Sequence, residues 1–540
     1  MKKYQNNDWQ GSGLLHRCMM PMLLLLTALV AGCGGSADTT NGTGSTSAVS
    51  IKLNSPADIT NVSADDYNAN VNGLITGATL KRWKDDWLNQ RPAGITGKLV
   101  ILEVTTGEVV SSGTPPVITG QYSYIVPAST NVTAAQNVVS YLAASSEWVM
   151  TRSNGVISTP SLVLDGPSID AELNKYGIDP ANDMIVIAQG TASSGNVMSQ
   201  GRAWLALHYW GVDAKHLAIL NGSNKFQFTS GAMTAVDFAA TGNTPPGLPA
   251  GTYSVKNLHV DNTSLIASVG DFMAVVPATD KSMKGTGVFL WDARTATQYS
   301  AGYMREANDG ASAGCGTAAY CNASPTYDWS ANNTGSFQNN GSRQGHPNGA
   351  VDLNFLNLLN NCNPVPAGGG CDYKTKAQIA SYINGTPDAA GNGLHQGNMV
   401  NGVYTDTLVG TGNGYQPGDM AYVWCETTFR AMITGIANSV ILGNPTRFYD
   451  GGMIEWNSLS NLPDATGKNI LPADSPWRTD VKSFFRPASN ALMVATRQIT
   501  NAYAPNSNAL IAADRAYKTP AASNTSAAGG GAAPANPCGG

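Results

Sequence analysis

Cys425 stands where a cysteine can do chemistry. It follows the apolar run Met420-Ala-Tyr-Val-Trp424 and opens Cys425-Glu-Thr-Thr-Phe-Arg430, and residues 431–441 then carry helical spacing. A buried strand ending on a thiol, under a loop that opens a helix, suits a thiolate. Unpaired backbone N–H groups and the positive end of the helix dipole both favour an anion there. Glu426 raises the thiol by like-charge repulsion where its carboxylate faces inward. Arg430 opposes that charge and can orient an anionic donor. Thr427 and Thr428 are expected to cap the helix start. Dithiol redox chemistry needs a nearby second cysteine, and Cys425 has none. A cysteine phosphatase loop is Cys-x5-Arg, and the span from Cys425 to Arg430 is one residue shorter. A shorter loop suits a smaller group than a phosphoryl, a protease-like nucleophile stays open, and a buried, inert thiol is the alternative.

The other seven of the eight cysteines sort by position. Cys18 and Cys33 lie near the start, and Cys538 sits in a Gly/Ala/Pro tail. Cys315/Cys321 and Cys362/Cys371 are short-range pairs in Gly/Ala/Asn/Pro-rich loops. In an oxidising compartment each pair reads as a local disulfide. A four-cysteine metal site is the alternative, although neither pair is Cys-x-x-Cys. No Cys-x-x-Cys-His occurs, so no ordinary c-type haem is expected.

Lys2 and Lys3 precede the apolar run Met22-Leu-Leu-Leu-Leu26, too short for a membrane span, and the segment ends in Leu29-Val-Ala-Gly-Cys33. That ending resembles a bacterial lipobox, whose cysteine becomes the lipidated first residue. An ordinary secretory signal is the alternative. Gly34 after the cysteine leans towards the outer membrane. No later run is long and apolar enough to span a bilayer, so lipid at Cys33 is the expected anchor. The formal charge is −5, and residues 1–32 hold Lys2, Lys3, Arg17 and Asp8, so the remainder carries −7. Only 12% of residues are charged and no basic stripe occurs, which excludes a nucleic-acid surface. The roughly 500 remaining residues suffice for two or three domains.

The elements that would position Cys425 recur in one order. First come a buried strand over 97–103, a helix and turn over 170–179, a strand over 184–188, a helix over 200–210 and a strand over 217–220, closing on Asn221-Gly-Ser. Then come a strand with its exit loop over 288–294, a strand over 420–424, the cysteine loop, a helix over 431–441 and a strand over 447–449, closing on Asp450-Gly-Gly. Strand and helix alternating in this way predict α/β architecture with parallel sheets. Sites in such sheets lie at the carboxyl ends of strands. The expected organisation is a signal over 1–32, a flexible linker over 33–60, domains over 61–245 and 246–465, a helical extension over 466–523 and a disordered tail over 524–540.

Four segments of the second set resemble the rhodanese sulfurtransferase family, in order. Asp292-Ala-Arg294 resembles its Asp-x-Arg, and Gly345-His-Pro-Asn-Gly-Ala350 resembles its Gly-His-Ile-Pro-Gly-Ala turn. The Cys425 loop resembles its six-residue active loop, and Asp450-Gly-Gly-Met-Ile-Glu-Trp456 resembles its closing segment. The first set resembles the family through residues 173–179, 203–207 and 220–222, but its loop, Gln189-Gly-Thr-Ala-Ser-Ser194, has no cysteine. The likeness spans roughly residues 70–465. It departs from the family in long segments between Asp292 and His346 and over 352–415, which are expected to reshape the cleft mouth.

The resemblance implies two tandem rhodanese-like domains, each a small parallel sheet flanked by helices, the first silent and the second active. It implies that Cys425 takes a sulfane sulfur as a persulfide and passes it on, with Arg430 assisting. Glu426, Thr427, Thr428, Phe429, Asp292 and Arg294 would line the donor, the last pair as an ion pair shaping the loop. His346 and Trp456 are expected to be structural, and Trp424 is core or cleft wall. No cofactor or metal is implied. Partners would be a small sulfur donor, a thiol or cyanide-like acceptor, the membrane through its lipid, and a protein complex at the cell envelope. The rival is a non-catalytic surface scaffold, or an accessory of an outer-membrane electron-transfer or selenium/tellurium oxyanion system.

Overall fold

The computed structural model describes residues 50–105, 107–110, 118–127, 137–153, 158–239, 252–276, 286–299, 346–347, 349–362, 365–366, 369–400, 403–459 and 509–519. The signal, Cys33, Cys315, Cys321, Gly345, Asn348, Cys538 and much of the 466–523 extension lie outside them. Among the described residues no helix is long and apolar enough to cross a membrane.

The chain is α/β, with parallel sheets flanked by helices. The first sheet contains β1 (Gly73–Ile75), β2 (Leu99–Glu103), β3 (Val138–Leu142), β4 (Met184–Ala188) and β5 (Leu217–Leu220), in the order β1-β5-β4-β2-β3. All its pairings are parallel. The second contains β6 (Ile266–Ala267), β7 (Val288–Asp292), β8 (Val351–Asp352), β9 (His395–Val400), β10 (Val403–Leu408), β11 (Met420–Trp424) and β12 (Thr446–Tyr449). Its order is β6-β12-β11-β7-β8-β9-β10. The five parallel strands of the second sheet repeat the order of the first, and the β9–β10 hairpin adds an antiparallel edge.

The central strands are continuous apolar runs because helices cover both faces. Leu99–Glu103 and Met184–Ala188 are buried at every position. Register then places the two loops of interest. Glu103 on β2 lies beside Ala188 on β4, and Asp292 on β7 lies beside Trp424 on β11. Gln189 and Cys425, the next residues along, therefore leave equivalent strands at the carboxyl edge.

Three local expectations change. Helix α1 is Ser194–Tyr209 and starts six residues ahead of Gln200, because the Ser193 hydroxyl accepts the Asn196 N–H at 3.0 Å. The segment over 431–441 is a helix α2 (Arg430–Ile436) running into a π-helical turn, Ala437–Ile441. Residues 50–60, placed in the flexible linker, are instead packed on the body. Lys52–Leu53 pairs in parallel with Val260–Asp261, and Pro56 and Ile59 are buried. Apolar side chains at those two positions explain the docking. Of the C-terminal extension, helix α3 (Ala509–Lys518) is described. Its Asp514 receives both Arg152 guanidinium ends, at 3.0 and 2.6 Å.

Candidate active site

The site begins with a buried ion pair at the end of β7. Asp292 and Arg294 are both fully buried, and the guanidinium grips the carboxylate in two-pronged fashion, Nε to Oδ1 at 2.9 Å and Nη2 to Oδ2 at 2.7 Å. Burial alone would lower the Arg294 guanidinium. The Asp292 carboxylate, then Glu426 and Cys425, outweigh that and raise it. Arg294 thus faces the cysteine loop as well as its own partner. Expected as substrate contacts, the two are placed beneath the loop, buried against each other.

Cys425 is a free thiol and 1% exposed. From Glu426 to Arg430, no backbone N–H has an acceptor among the described residues. A run of unused N–H groups around a thiol is a ready cradle for an anion. Its shape is held from the Asp450-Gly451-Gly452 turn. The Cys425 carbonyl accepts the Met453 N–H at 2.9 Å. Gly452 sits at φ +56°, where a Cβ would lie 2.5 Å from the Glu426 carbonyl oxygen and 2.8 Å from that of Cys425. Only glycine fits at both counts.

Thr428 overturns the expected cap. Its φ is +63°, a left-handed conformation costly for a β-branched residue. Its hydroxyl lies 2.8 Å from the Tyr449 carbonyl oxygen and 2.9 Å from that of Asp450, so it ties the loop to the turn. Phe429 takes the N-cap position with no side-chain cap.

The two charged loop residues differ. Arg430 is half-buried and its Nη1 donates to the Gln298 Oε1, linking the loop to the helical turn Ala296–Tyr299 that follows Arg294. It makes no other hydrogen bond or ion pair among the described residues. Glu426 is buried, and among the described residues neither carboxylate oxygen has a hydrogen-bond partner; Arg294 Nη1 is 4.0 Å from Oε2. A buried carboxylate without hydrogen bonds is costly unless something else satisfies it. Thr427 is half-buried.

His346 is structural: its nitrogens lie 2.8 and 2.9 Å from the carbonyls of Tyr299 and Gly397, and its ring stacks on Tyr299 at 3.6 Å. Trp424 and Trp456 are core, packed on Phe272 at 4.9 and 5.1 Å. Cys362 and Cys371 are joined by a disulfide, which removes that pair from any thiolate metal site. Sequence reasoning missed Arg202, Gln298 and Glu103. Arg202 carries one legible signal, a charge inside the apolar run of α1.

At the Gln189 crevice the matching parts differ. The Gln189 Nε2 donates to the Gly370 carbonyl at 2.8 Å, the Ser223 N–H donates to that same oxygen at 3.1 Å, and the Tyr373 N–H donates to Asn221 Oδ1 at 2.8 Å. The loop closed by the Cys362–Cys371 disulfide therefore covers this crevice.

No family model matches the chain, and no curated protein does. Among solved structures, the chain is similar to YnjE at 14% identity, over 72% of this chain and 68% of that one, with a TM-score of 0.40. It is similar to the Tum1 protein from Saccharomyces cerevisiae at 12% identity, over 73% and 97%, with a TM-score of 0.41. A third similar structure is SseA from Escherichia coli, described as a 3-mercaptopyruvate sulfotransferase of "rhodanese" fold, at 11% identity over 71% and 98%, with a TM-score of 0.37.

Proposed function

We propose that this chain is a tandem rhodanese-like sulfurtransferase, held outside the cytoplasm by lipid at Cys33, that passes a sulfane sulfur through Cys425. One observation carries the reading. A free thiol at a strand end lies inside a loop whose five N–H groups lack acceptors among the described residues, above a buried Asp292–Arg294 pair. In the first step the Cys425 thiolate attacks the outer sulfur of a donor such as a thiosulfonate. The new S–S bond forms as the donor's S–S bond breaks, and the sulfinate leaves with the electron pair. In the second, an acceptor thiolate or cyanide attacks the outer sulfur of the persulfide, and the pair returns to Cys425. The persulfide is an anion with no counter-ion of its own, and the loop N–H groups suit it. Arg430, with most of its guanidinium uncommitted, suits an anionic donor. Glu426 works against a doubly charged donor and favours one of lower charge. The Cys362–Cys371 disulfide supports an oxidising compartment.

The test is intact-protein mass spectrometry after incubation with thiosulfate or a thiosulfonate. One added sulfur atom on the Cys425 peptide, absent in Cys425→Ser, is the expected result. Turnover in a thiosulfate:cyanide assay that survives Cys425→Ser would sink the assignment. The low exposure of Cys425 favours one second reading, a scaffold with an inert thiol. It predicts that iodoacetamide leaves Cys425 unmodified over hours at neutral pH.

A further inference from the structure

We propose that Arg202, on helix α1 beside the sheet without a cysteine, is a positioning residue for the Cys425 loop, a role that rests on Cys425 being the reactive thiol. Arg202 is fully buried, and its guanidinium reaches three groups. Nη1 donates to Asp450 Oδ1 at 2.5 Å, Nη2 donates to the Ser161 carbonyl at 2.8 Å, and the carbon at its centre lies 5.7 Å from the centre of the Phe429 ring. Asp450 Oδ2 accepts the Val163 N–H at 2.7 Å, so among the described residues the carboxylate is held from the first sheet's side.

Two of these contacts, to Asp450 and to Phe429, lead to the cysteine loop. Asp450 opens the turn that fixes Thr428 through its carbonyl and brings Gly452 against the carbonyls of Cys425 and Glu426. Phe429, under the guanidinium, is the N-cap of α2. Next along α1, Gly201 meets α2 directly: a Cβ there would lie 2.3 Å from the Met432 Cβ. The backbone strains to supply its share, since Ser161, which offers its carbonyl to Arg202, sits at φ +62°. Arginine suits the post because a planar, forked cation donates in two directions while its face covers a ring. A lysine at this position would reach Asp450 alone. In this account the sheet without a cysteine supplies part of the cysteine's own machinery.

The test compares the full-length native protein with Arg202→Lys, Arg202→Met and the double variant Arg202→Met/Asp450→Asn. The double variant removes both buried charges and so guards against simple misfolding. Melting temperature and circular dichroism identify folded variants. Two rates are then read at Cys425, sulfur loading from a thiosulfonate by mass spectrometry and alkylation by iodoacetamide. In folded Arg202→Met, loading falls by about ten- to a hundredfold, the effect of a reacting group displaced by roughly an ångström. Alkylation rises, because a loosened loop exposes the thiol. Arg202→Lys recovers part of the loading, which a purely structural role would not produce at equal melting temperature. A folded Arg202→Met or double variant with both rates unchanged overturns the proposal. If the native protein takes no sulfur, the sulfur-transfer reading fails, and alkylation alone decides the role of Arg202: a rate altered in the folded variants supports it and an unaltered one overturns it.

Discussion

At Cys425 and at Gln189 the chain leaves the same strand of the same sheet order, yet the two crevices solve one electrostatic problem differently. Each has a buried carboxyl at the end of the neighbouring strand, Asp292 on β7 and Glu103 on β2. Two residues after Asp292 stands Arg294, which grips it. Two residues after Glu103 stands Thr105, whose hydroxyl donates instead to the Gln189 carbonyl at 2.8 Å. Among the described residues Glu103 receives the Ile125 N–H and the Asn224 amide, the latter at 2.8 Å. Burial pushes it up to about 7, with the two hydrogen bonds pulling the other way. One crevice thus balances its carboxyl with a guanidinium that also faces a thiol, and the other with a proton. The first keeps a cation available to a reacting anion. The second has no cation paired with its carboxyl among the described residues, and a loop from elsewhere in the chain covers it. The cysteine is therefore one of three linked differences, beside the arginine and the open loop.

The largest expected effect breaks the ion pair. Asp292→Asn takes from the buried Arg294 guanidinium the carboxylate that grips it at two points. Removing one partner of a buried pair costs about 3–5 kcal/mol. Urea unfolding should show a loss of that size for Asp292→Asn, and a much smaller one at pH 4 for Glu103→Gln, where the carboxyl it replaces is already neutral. Equal losses would mean that the two carboxyls are held alike, and the contrast would be gone.

The parts of this arrangement differ in how they could be read from residues. Strands β2, β4 and β11 were legible because a strand buried on both faces is an unbroken apolar run. Strands β6 and β8, two residues each, take their conformation from their partners and leave no pattern. The Cys425 loop was legible through residue types at fixed spacing. Thr428 was misread as a cap because a composition rule cannot foresee a positive φ, and that φ turned its hydroxyl to the Asp450 turn. The cover over Gln189 was invisible for a simpler reason: Gly370 lies 181 residues away, and only the packing of one sheet's loops on the other brings it there. Arg202 and Asp450 are likewise 248 residues apart.

The second prediction follows from the Glu103 proton. In the folded chain Glu103 titrates at about 7, above the ordinary glutamate value of 4.5. Between those values the folded state holds a proton that the unfolded state has lost, so stability falls as pH rises from about 4.5 to 7 and is level above that. The full span is at most about 3–4 kcal/mol, from 1.36 kcal/mol per unit. Glu103→Gln should flatten this part of the stability–pH curve. An unchanged slope would assign it to other groups and leave Glu103 charged without a cation.

The smallest effect tests whether the two crevices act separately. The Cys362–Cys371 bridge closes a short ring, nine residues in sequence separation. Opening a ring of that length frees the unfolded chain by about 2–3 kcal/mol in the loop-entropy account. It also loosens Gly370, the carbonyl that holds Gln189 and Ser223. The double variant Cys362→Ser/Cys371→Ser should lower the urea midpoint accordingly and raise hydrogen exchange at the Ser223 and Tyr373 amides, whose acceptors lie across that contact. Sulfur loading at Cys425 should stay at the native rate, because among the described residues no hydrogen bond of that loop runs to Asp450, Phe429 or Met453. A fall in loading that tracks the lost stability would mean that the cover on one crevice is transmitted through α1 to the other. Arg202 would then be the residue to examine first, since its guanidinium joins α1 to Asp450 and Phe429.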